Sequence, residues 1–214
     1  MAKILITSGP TRQYIDPVRF LSNASSGRMG AALASAALEA GHDVTIISGP
    51  VEIAYPSQAV VKKVVTTEEM LQAAQDYFPS CDGVIGVAAP CDYRPSEVFP
   101  HKISKTGQKW HLSLEETPDI IATLGSTKRP RQWVVGFALE TEDPRLRALR
   151  KMITKKCDLL VLNGPTAIDS LENQVEILHP SGKTLAIFQG NKMELGKKIF
   201  RMIEQNILES PDFV

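Results

Sequence analysis

Short aliphatic runs alternate along this chain with segments of helical spacing, and that alternation limits its fold more than any other feature. Ile4–Ser8 is an apolar run closed by Gly9-Pro10. Residues 28–40 are Ala-rich, carry helical spacing and stop at Gly41. Val44–Ser48 is a second run that again ends in Gly-Pro, and Val60–Val65 reads as a third strand. Thr67–Tyr77 opens Thr-Glu-Glu and sets Met70, Leu71 and Ala74 on one face, so it reads as a helix. Gly83–Ala89, Trp133–Ala138 and Asp158–Asn163 are further strands. Between the last two, Asp143-Pro144 supplies an N-cap and an N1 proline for a helix to about Lys156. Strand, helix, strand, helix in this order predicts an α/β fold. Its sheet is doubly wound, mostly parallel and Rossmann-like, with right-handed crossovers.

Two regions break the rhythm. His101–Leu114 is polar around Gly107 and reads as a flap or hairpin. Val175–Phe188 pairs two apolar runs around Pro180-Ser181-Gly182-Lys183, a β-hairpin signal. A closing helix follows from about Asn191 to Asn206. The 214 residues suit one domain, 1–214, with a flap at about 99–115 and a hairpin extension at about 165–190.

Charge and composition remove several classes. Lys plus Arg equals Asp plus Glu at 24 each, without the excess a nucleic-acid coat or membrane-surface protein carries. Cys81, Cys91 and Cys157 are far apart with no CxxC pair, which argues against a disulfide framework and a Cys-rich zinc site. His42, His101, His111 and His179 show no ligand spacing, and no Gly-x-Ser-x-Gly elbow is present. No apolar run is long enough to span a membrane, and Met1-Ala2-Lys3 leads straight into a buried strand. The expectation is a cytoplasmic protein with neither nucleic-acid nor membrane partners.

The first loop carries the most chemistry. Nineteen residues, Gly9 to Gly27, join the first strand to the first helix. Such connections usually take about 2–6 residues, and long structureless ones are normally functional. In a doubly wound sheet this loop lies at the carboxyl end of strand 1, where ligands bind. Its tail, Asn23-Ala24-Ser25-Ser26-Gly27-Arg28-Met29-Gly30, offers hydroxyls and free backbone N–H groups at a helix start. That segment either cradles phosphate or simply caps the helix. The pattern is neither GxxxxGK[ST] nor GxGxxG, and strand 2 ends Ser48-Gly49-Pro50 without the acid a dinucleotide site wants.

Other strand ends add polar groups. Asp92 follows the fourth strand, placed to accept from a ribose hydroxyl or amine, or to form an Asx turn before Pro95. Phe137 is either core or a base-stacking platform. Residues 145–156 hold six basic side chains and no acid, with Arg147, Lys151 and Lys155 on one helical stripe. An unpaired stripe of like charge suits a polyanion such as triphosphate, or is a solvated helix face. Lys102 and Lys105 are mobile cations of the flap. Together these residues favour nucleotide binding and leave the reaction open.

In order along the chain, a set of motifs resembles the phosphopantothenate–cysteine ligase family. They are Ile6 to Arg12, Ile15 to Phe20, Ser22 to Gly30, Ala88 to Arg94, Lys102 to Lys105, Thr117 to Ile120 and Val135 to Thr141. The resemblance covers nearly the whole chain and implies a stand-alone ligase, separate from the flavin-dependent decarboxylase to which the bacterial type is often fused. It implies that 4′-phosphopantothenate and L-cysteine are joined in coenzyme A synthesis with CTP and Mg²⁺. The substrate carboxylate attacks the α-phosphate, giving an acyl-cytidylate and pyrophosphate, and the cysteine amine then displaces CMP.

Carried over by motif, Asn23 holds the acyl-cytidylate and Lys102 meets the triphosphate charge. Arg19 and Ala89 contact phosphopantothenate, with Ser25, Ser26, Gly27 and Arg28 nearby. Gly9, Asp92, Pro118, Asp119, Ile120, Ile121, Phe137, Lys151 and Lys155 are implied for the nucleotide. Mg²⁺ is implied to be held mainly by triphosphate, with no protein ligands assigned. The resemblance also implies a homodimer formed through the hairpin extension. Pro90-Cys91 replaces the commoner Val-Ala or Val-Ser, Ser104 stands where a flap lysine is common, and Gly164 follows Asn163 where a polar residue is usual. A different class, an NAD(P)-dependent oxidoreductase or a non-catalytic nucleotide sensor on the same fold, is the alternative.

Overall fold

The computed structural model describes residues 1–164 and 173–210 of the chain. The first strand, β1 (Lys3–Ser8), shows how the layers arise. Its side chains alternate, so Ile4 and Ile6 enter one apolar core and Leu5 enters another on the opposite face. The loop after it is not structureless. Within it β2 (Arg12–Tyr14) pairs antiparallel with β3 (Phe20–Ser22).

The helix α1 (Arg28–Glu39) buries Leu33 together with Gly30, Ala32, Ala36 and Ala37, whose small size lets it lie close to the sheet. Then come β4 (Asp43–Ser48), β5 (Val60–Lys63) and α2 (Thr67–Tyr77). Thr66 and Glu69 form a reciprocal capping box at the start of α2. After β6 (Gly83–Gly86), a second ribbon pairs β7 (Tyr93–Pro95) with β8 (Leu114–Glu116). The expected flap is the loop of this ribbon, residues 96–113, and not a hairpin over 101–114.

A short helix that the periodicity did not predict, α3 (Ile120–Thr127), starts at Asp119, whose Oδ1 accepts from the Ala122 N–H at 2.9 Å. β9 (Trp133–Leu139), α4 (Pro144–Thr154) and β10 (Leu159–Asn163) follow. Asp143 occupies the N-cap of α4, but it adopts φ 42° and its side chain makes no capping bond. The antiparallel hairpin β11 (Asn173–Leu178) and β12 (Thr184–Gly190) matches the expected one. Residues 165–172 of the predicted extension lie outside the described residues. The closing helix α5 (Lys192–Ile203) is capped by the Asn191 side chain and continues into a π-helical turn at Glu204–Leu208.

The main sheet has eight strands in the order β12-β11-β10-β9-β6-β1-β4-β5. The six from β5 to β10 are parallel, and β11 and β12 extend that edge antiparallel. α1 and α5 cover one face with Leu33, Ile199 and Phe200, and α2, α3 and α4 cover the other with Met70, Leu124 and Met152. The chain reverses direction across the sheet between β1 and β6. A doubly wound sheet opens a crevice there, outside the carboxyl ends of its strands. Among the described residues no helix is long and apolar enough to cross a membrane.

Candidate functional site

The crevice at that switch point is a cleft of about 680 Å³. Its floor is the end of β6 and the residues that follow. Val87 donates its N–H to Thr7 O at 3.2 Å and Ala89 donates to Gly9 O at 2.9 Å, so the path of β6 is carried three residues past the strand. Asn23 closes over this segment, its Nδ2 donating to Ala89 O at 3.3 Å and Pro90 O at 2.8 Å. Both amide hydrogens are thereby used, and the group that remains for a ligand is Oδ1, an acceptor.

The start of α1 forms one wall. Gly27, its N-cap, has φ +74°, and neither a side-chain cap nor a first-turn acid blocks the helix end. A Cβ at Gly27 would sit 3.0 Å from Val51 Cγ1 and 3.2 Å from the Tyr55 hydroxyl. Gly30 approaches β1 so closely that a Cβ there would lie 2.1 Å from Ser8 Oγ. Beneath the wall Tyr55 OH donates to Ser8 Oγ at 2.9 Å and bonds Ser48 Oγ at 2.8 Å, while Ser8 Oγ donates to Gly27 O at 3.3 Å. The hydroxyls of Ser8 and Ser48 thus serve the scaffold. Ser25, Ser26 and the open N–H groups of α1 face the cleft. An uncapped helix start with its positive dipole end on a cleft is a site for an anion.

The opposite wall comes from α3 and α4. Pro118, Asp119, Ile120 and Ile121 line it, with Lys151 and Lys155 beyond them. The cations of α4 are paired, which corrects the expectation of an unpaired stripe. Lys151 Nζ lies 2.6 Å from Oε1 of buried Glu140, Lys155 Nζ lies 2.9 Å from Asp119 Oδ2, and Arg147 pairs with Glu142 at 2.6 Å. All three partners lie before α4 in sequence, two at the end of β9 and just after it, one at the cap of α3. Lys151 is half exposed and its ammonium carries three donors, so N–H groups not spent on Glu140 open onto the cleft.

Asp92 also lines the cleft, held in place by the backbone around it. Thr117 donates its N–H to Asp92 O at 2.9 Å and its Oγ1 to Cys91 O at 2.6 Å. Cys91 N–H donates to Thr11 Oγ1 at 2.8 Å, and Thr11 Oγ1 bonds Thr67 Oγ1 at 2.8 Å. Burial pushes the Cys91 thiol up from its ordinary pKa, and its Sγ donates to Thr11 O at 3.4 Å. The residue that departs from the family pattern is a small packed donor, not a reactive thiolate.

One cleft thus gathers Asn23, Ser25, Ser26, Gly27, Ala89, Asp92, Pro118, Asp119, Ile120, Ile121, Phe137, Lys151 and Lys155. Phe137 is half-buried, packed on the core by one side and open to the cleft by the other. Four candidates do not line it. The Gly9 carbonyl is bound to Ala89, and Arg28 is exposed on the first turn of α1. Lys102 is exposed on the flap, and Arg19 is paired with Asp16. The structure adds Asn163, Asn173 and Lys192 to the cleft border. Their signal was positional, since each sits at the carboxyl edge of β10, the start of β11 or the start of α5. Among the described residues no group of three or more His, Cys, Asp or Glu could hold a metal ion.

A family model described as the DNA/pantothenate metabolism flavoprotein C-terminal domain matches residues 1–207. The coenzyme A biosynthesis bifunctional protein CoaBC of Vibrio vulnificus (strain YJ016) is 37% identical over 207 residues, 94% of this chain and 51% of that protein. The protein of that name from Bacillus subtilis (strain 168) is 43% identical over 165 residues, 77% of this chain and 40% of that one. The chain spans about half the length of the curated relatives it matches. A crystal structure of the C-terminal domain of CoaBC superposes with a TM-score of 0.82 at 34% identity, covering 98% of this chain and 97% of that one. A Cab2 mutant in complex with phosphopantothenate-cysteine matches with a TM-score of 0.80 over 97% of this chain and 88% of that one. Its 16% identity makes this a likeness of fold.

Proposed function

This chain belongs to the DNA/pantothenate metabolism flavoprotein C-terminal domain family, and from that membership we propose that it joins 4′-phosphopantothenate to L-cysteine at the expense of CTP. The observation that carries the proposal is the meeting of Asn23, the open start of α1, Asp92 and two lysines on one cleft at the switch point.

In this proposal the phosphates lie at the start of α1, where the N–H groups of its first turn and the lysines of α4 neutralise them. The ribose lies towards Asp92, and the base lies along Pro118–Ile121 with Phe137 beside it. The pantothenate carboxylate oxygen bonds to the α-phosphorus, the bridging Pα–O bond breaks, and pyrophosphate leaves. The cysteine nitrogen then bonds to the acyl carbon, the acyl–oxygen bond breaks, CMP leaves, and the nitrogen gives up a proton. Asn23 contributes by position. Its N–H groups hold the Ala89-Pro90 backbone, and its Oδ1 accepts from an N–H of the amine that approaches. Two like-charged groups must meet in the first step, so preorganised cations are the main requirement. Mg²⁺ enters only as the companion of the triphosphate, with no protein ligands assigned.

The expected result is pyrophosphate release that requires phosphopantothenate and Mg²⁺ and runs faster with CTP than with ATP. Equal or faster turnover with ATP overturns the nucleotide choice alone. Binding of CTP with no pyrophosphate under any combination turns the protein into a nucleotide sensor.

A second expectation concerns α4. Lys151→Ala and Lys155→Ala should each raise the KM for CTP more than that for cysteine, on the order of tenfold if the ammonium is desolvated against phosphate and severalfold if it stays wet. Saturation curves in both substrates decide it. Unchanged CTP dependence in both variants would make Glu140 and Asp119 the lysines' only partners.

A further inference from the structure

Arg19 and Lys102 were assigned to substrates by resemblance, yet the structure joins their segments to each other, away from the cleft wall. The connection runs through Asp16, which has no exposed surface. Its two oxygens have different partners. Oδ1 accepts from the backbone N–H groups of Val18 and Arg19, each at 2.9 Å, and closes the turn between β2 and β3. Oδ2 accepts from Arg19 Nε at 2.8 Å, lies 2.6 Å from Arg19 Nη2, and accepts from the Ile103 N–H at 3.3 Å. Arg19 Nη2 then donates to the Ile103 carbonyl at 2.7 Å.

Both backbone polar groups of Ile103, the residue after Lys102, are therefore held by one ion pair. A further bond, Phe99 N–H to Ile15 O at 2.9 Å, ties the start of the flap to the same turn. Burial alone would raise the Asp16 pKa. The N–H of Val18, the Arg19 guanidinium and the N–H groups of Arg19 and Ile103 outweigh it and hold the carboxyl well below the usual carboxylate range. A turn needs Oδ1 only. A buried carboxylate whose second oxygen meets a segment more than eighty residues away is a long-range clamp.

We propose that Asp16 and Arg19 are positioning residues of the ligase reaction: their ion pair brackets Ile103 and anchors the flap, so that Lys102 reaches the triphosphate from a fixed base. This rests on the CTP reading above. Without the anchor, Lys102 sits on a segment with more conformations to lose on closing, and nucleotide affinity falls.

Asp16→Asn tests this in the full chain. The amide keeps an acceptor for the turn but turns an NH₂ group towards the Arg19 guanidinium and the Ile103 N–H. Amide hydrogen exchange at Ile103 and Phe99 should accelerate on the order of tenfold, while exchange in β1 and β6 stays as in the parent. Titration calorimetry should show CTP affinity lower on the order of tenfold, and the KM for cysteine unchanged. Should Asp16→Asn fail to fold, Arg19→Lys keeps the charge beside Asp16 and removes the fork that reaches Ile103 O, and the same pattern is expected. Parent-like exchange at Ile103 overturns the clamp. Faster exchange with parent-like CTP affinity overturns the positioning role and leaves the ligase reading standing. A parent chain that binds no CTP overturns both.

Discussion

Asn23→Asp should still form the acyl-cytidylate and should slow its consumption by cysteine roughly 10²-fold, the cost of misplacing a reacting group by about an ångström. The parent amide donates both hydrogens to Ala89 O and Pro90 O. A carboxylate in its place meets the same two carbonyl oxygens with no hydrogen to offer, so the side chain turns away and the segment under the acyl group loses its tie. It also sits beside the start of α1, where the intermediate's phosphate is proposed to bind, and adds repulsion there. Activation of phosphopantothenate depends on cations and the helix end, which the substitution leaves in place. The observable is an acyl-cytidylate that accumulates and is seen by mass spectrometry when CTP and phosphopantothenate are supplied. Product at the parent rate, or no intermediate at all, would assign Asn23 a different role.

Gly30→Ala should lower both stability and nucleotide affinity. The added Cβ would lie 2.1 Å from Ser8 Oγ and 2.6 Å from Ser8 Cβ. Ser8 cannot yield easily, because it is fully buried and its hydroxyl bonds Tyr55 and Gly27 O. α1 must therefore move off β1. Overpacking of this kind costs about 1–3 kcal/mol, read as a shift of the urea midpoint. The same displacement carries the open N–H groups of α1 away from the phosphates, so CTP affinity should fall roughly tenfold or more. A variant with the parent's midpoint and CTP affinity would mean that β1 and α1 are not locked together as the structure has them.

How much of this was legible depended on how local each signal is. The parallel strands of the sheet could be read because each is a short aliphatic run bounded by Gly, Pro or a helix. Apart from the exposed edge strand β5, their side chains are mostly buried on both faces, so the run needs no alternation to be seen. α2 declared itself by its Thr-Glu-Glu start and by Met70, Leu71 and Ala74 on one face, and the structure adds the Thr66–Glu69 capping box. α3 was missed although Asp119 is an N-cap residue, because eight residues give too little periodicity to read. The β2–β3 ribbon was missed for the same reason, with three residues in each strand.

Of the site, the chemistry-bearing segments were visible as an overlong loop, a polar strand end and a basic stripe. What those groups touch was not. The stripe appeared unpaired because Arg147, Lys151 and Lys155 have no acid on their own helix. Glu140 and Asp119 reach them only once β9 and α3 are set beside α4 in the sheet order. Nor does residue type show that Arg19 meets a buried Asp16 three positions before it and a flap backbone more than eighty positions after it. Sequence by itself determined the strands of the main sheet, the longer helices and which loops lie at the strands' carboxyl ends, since propensity, capping and burial patterns act over a few residues. The tertiary structure alone decided which charges are paired, which amide hydrogens are spent and which lysine stands apart from the cleft. Those outcomes depend on distances between groups that share no stretch of chain, and electrostatic and hydrogen-bond energies fall off over a few ångströms of space, whatever the separation in sequence.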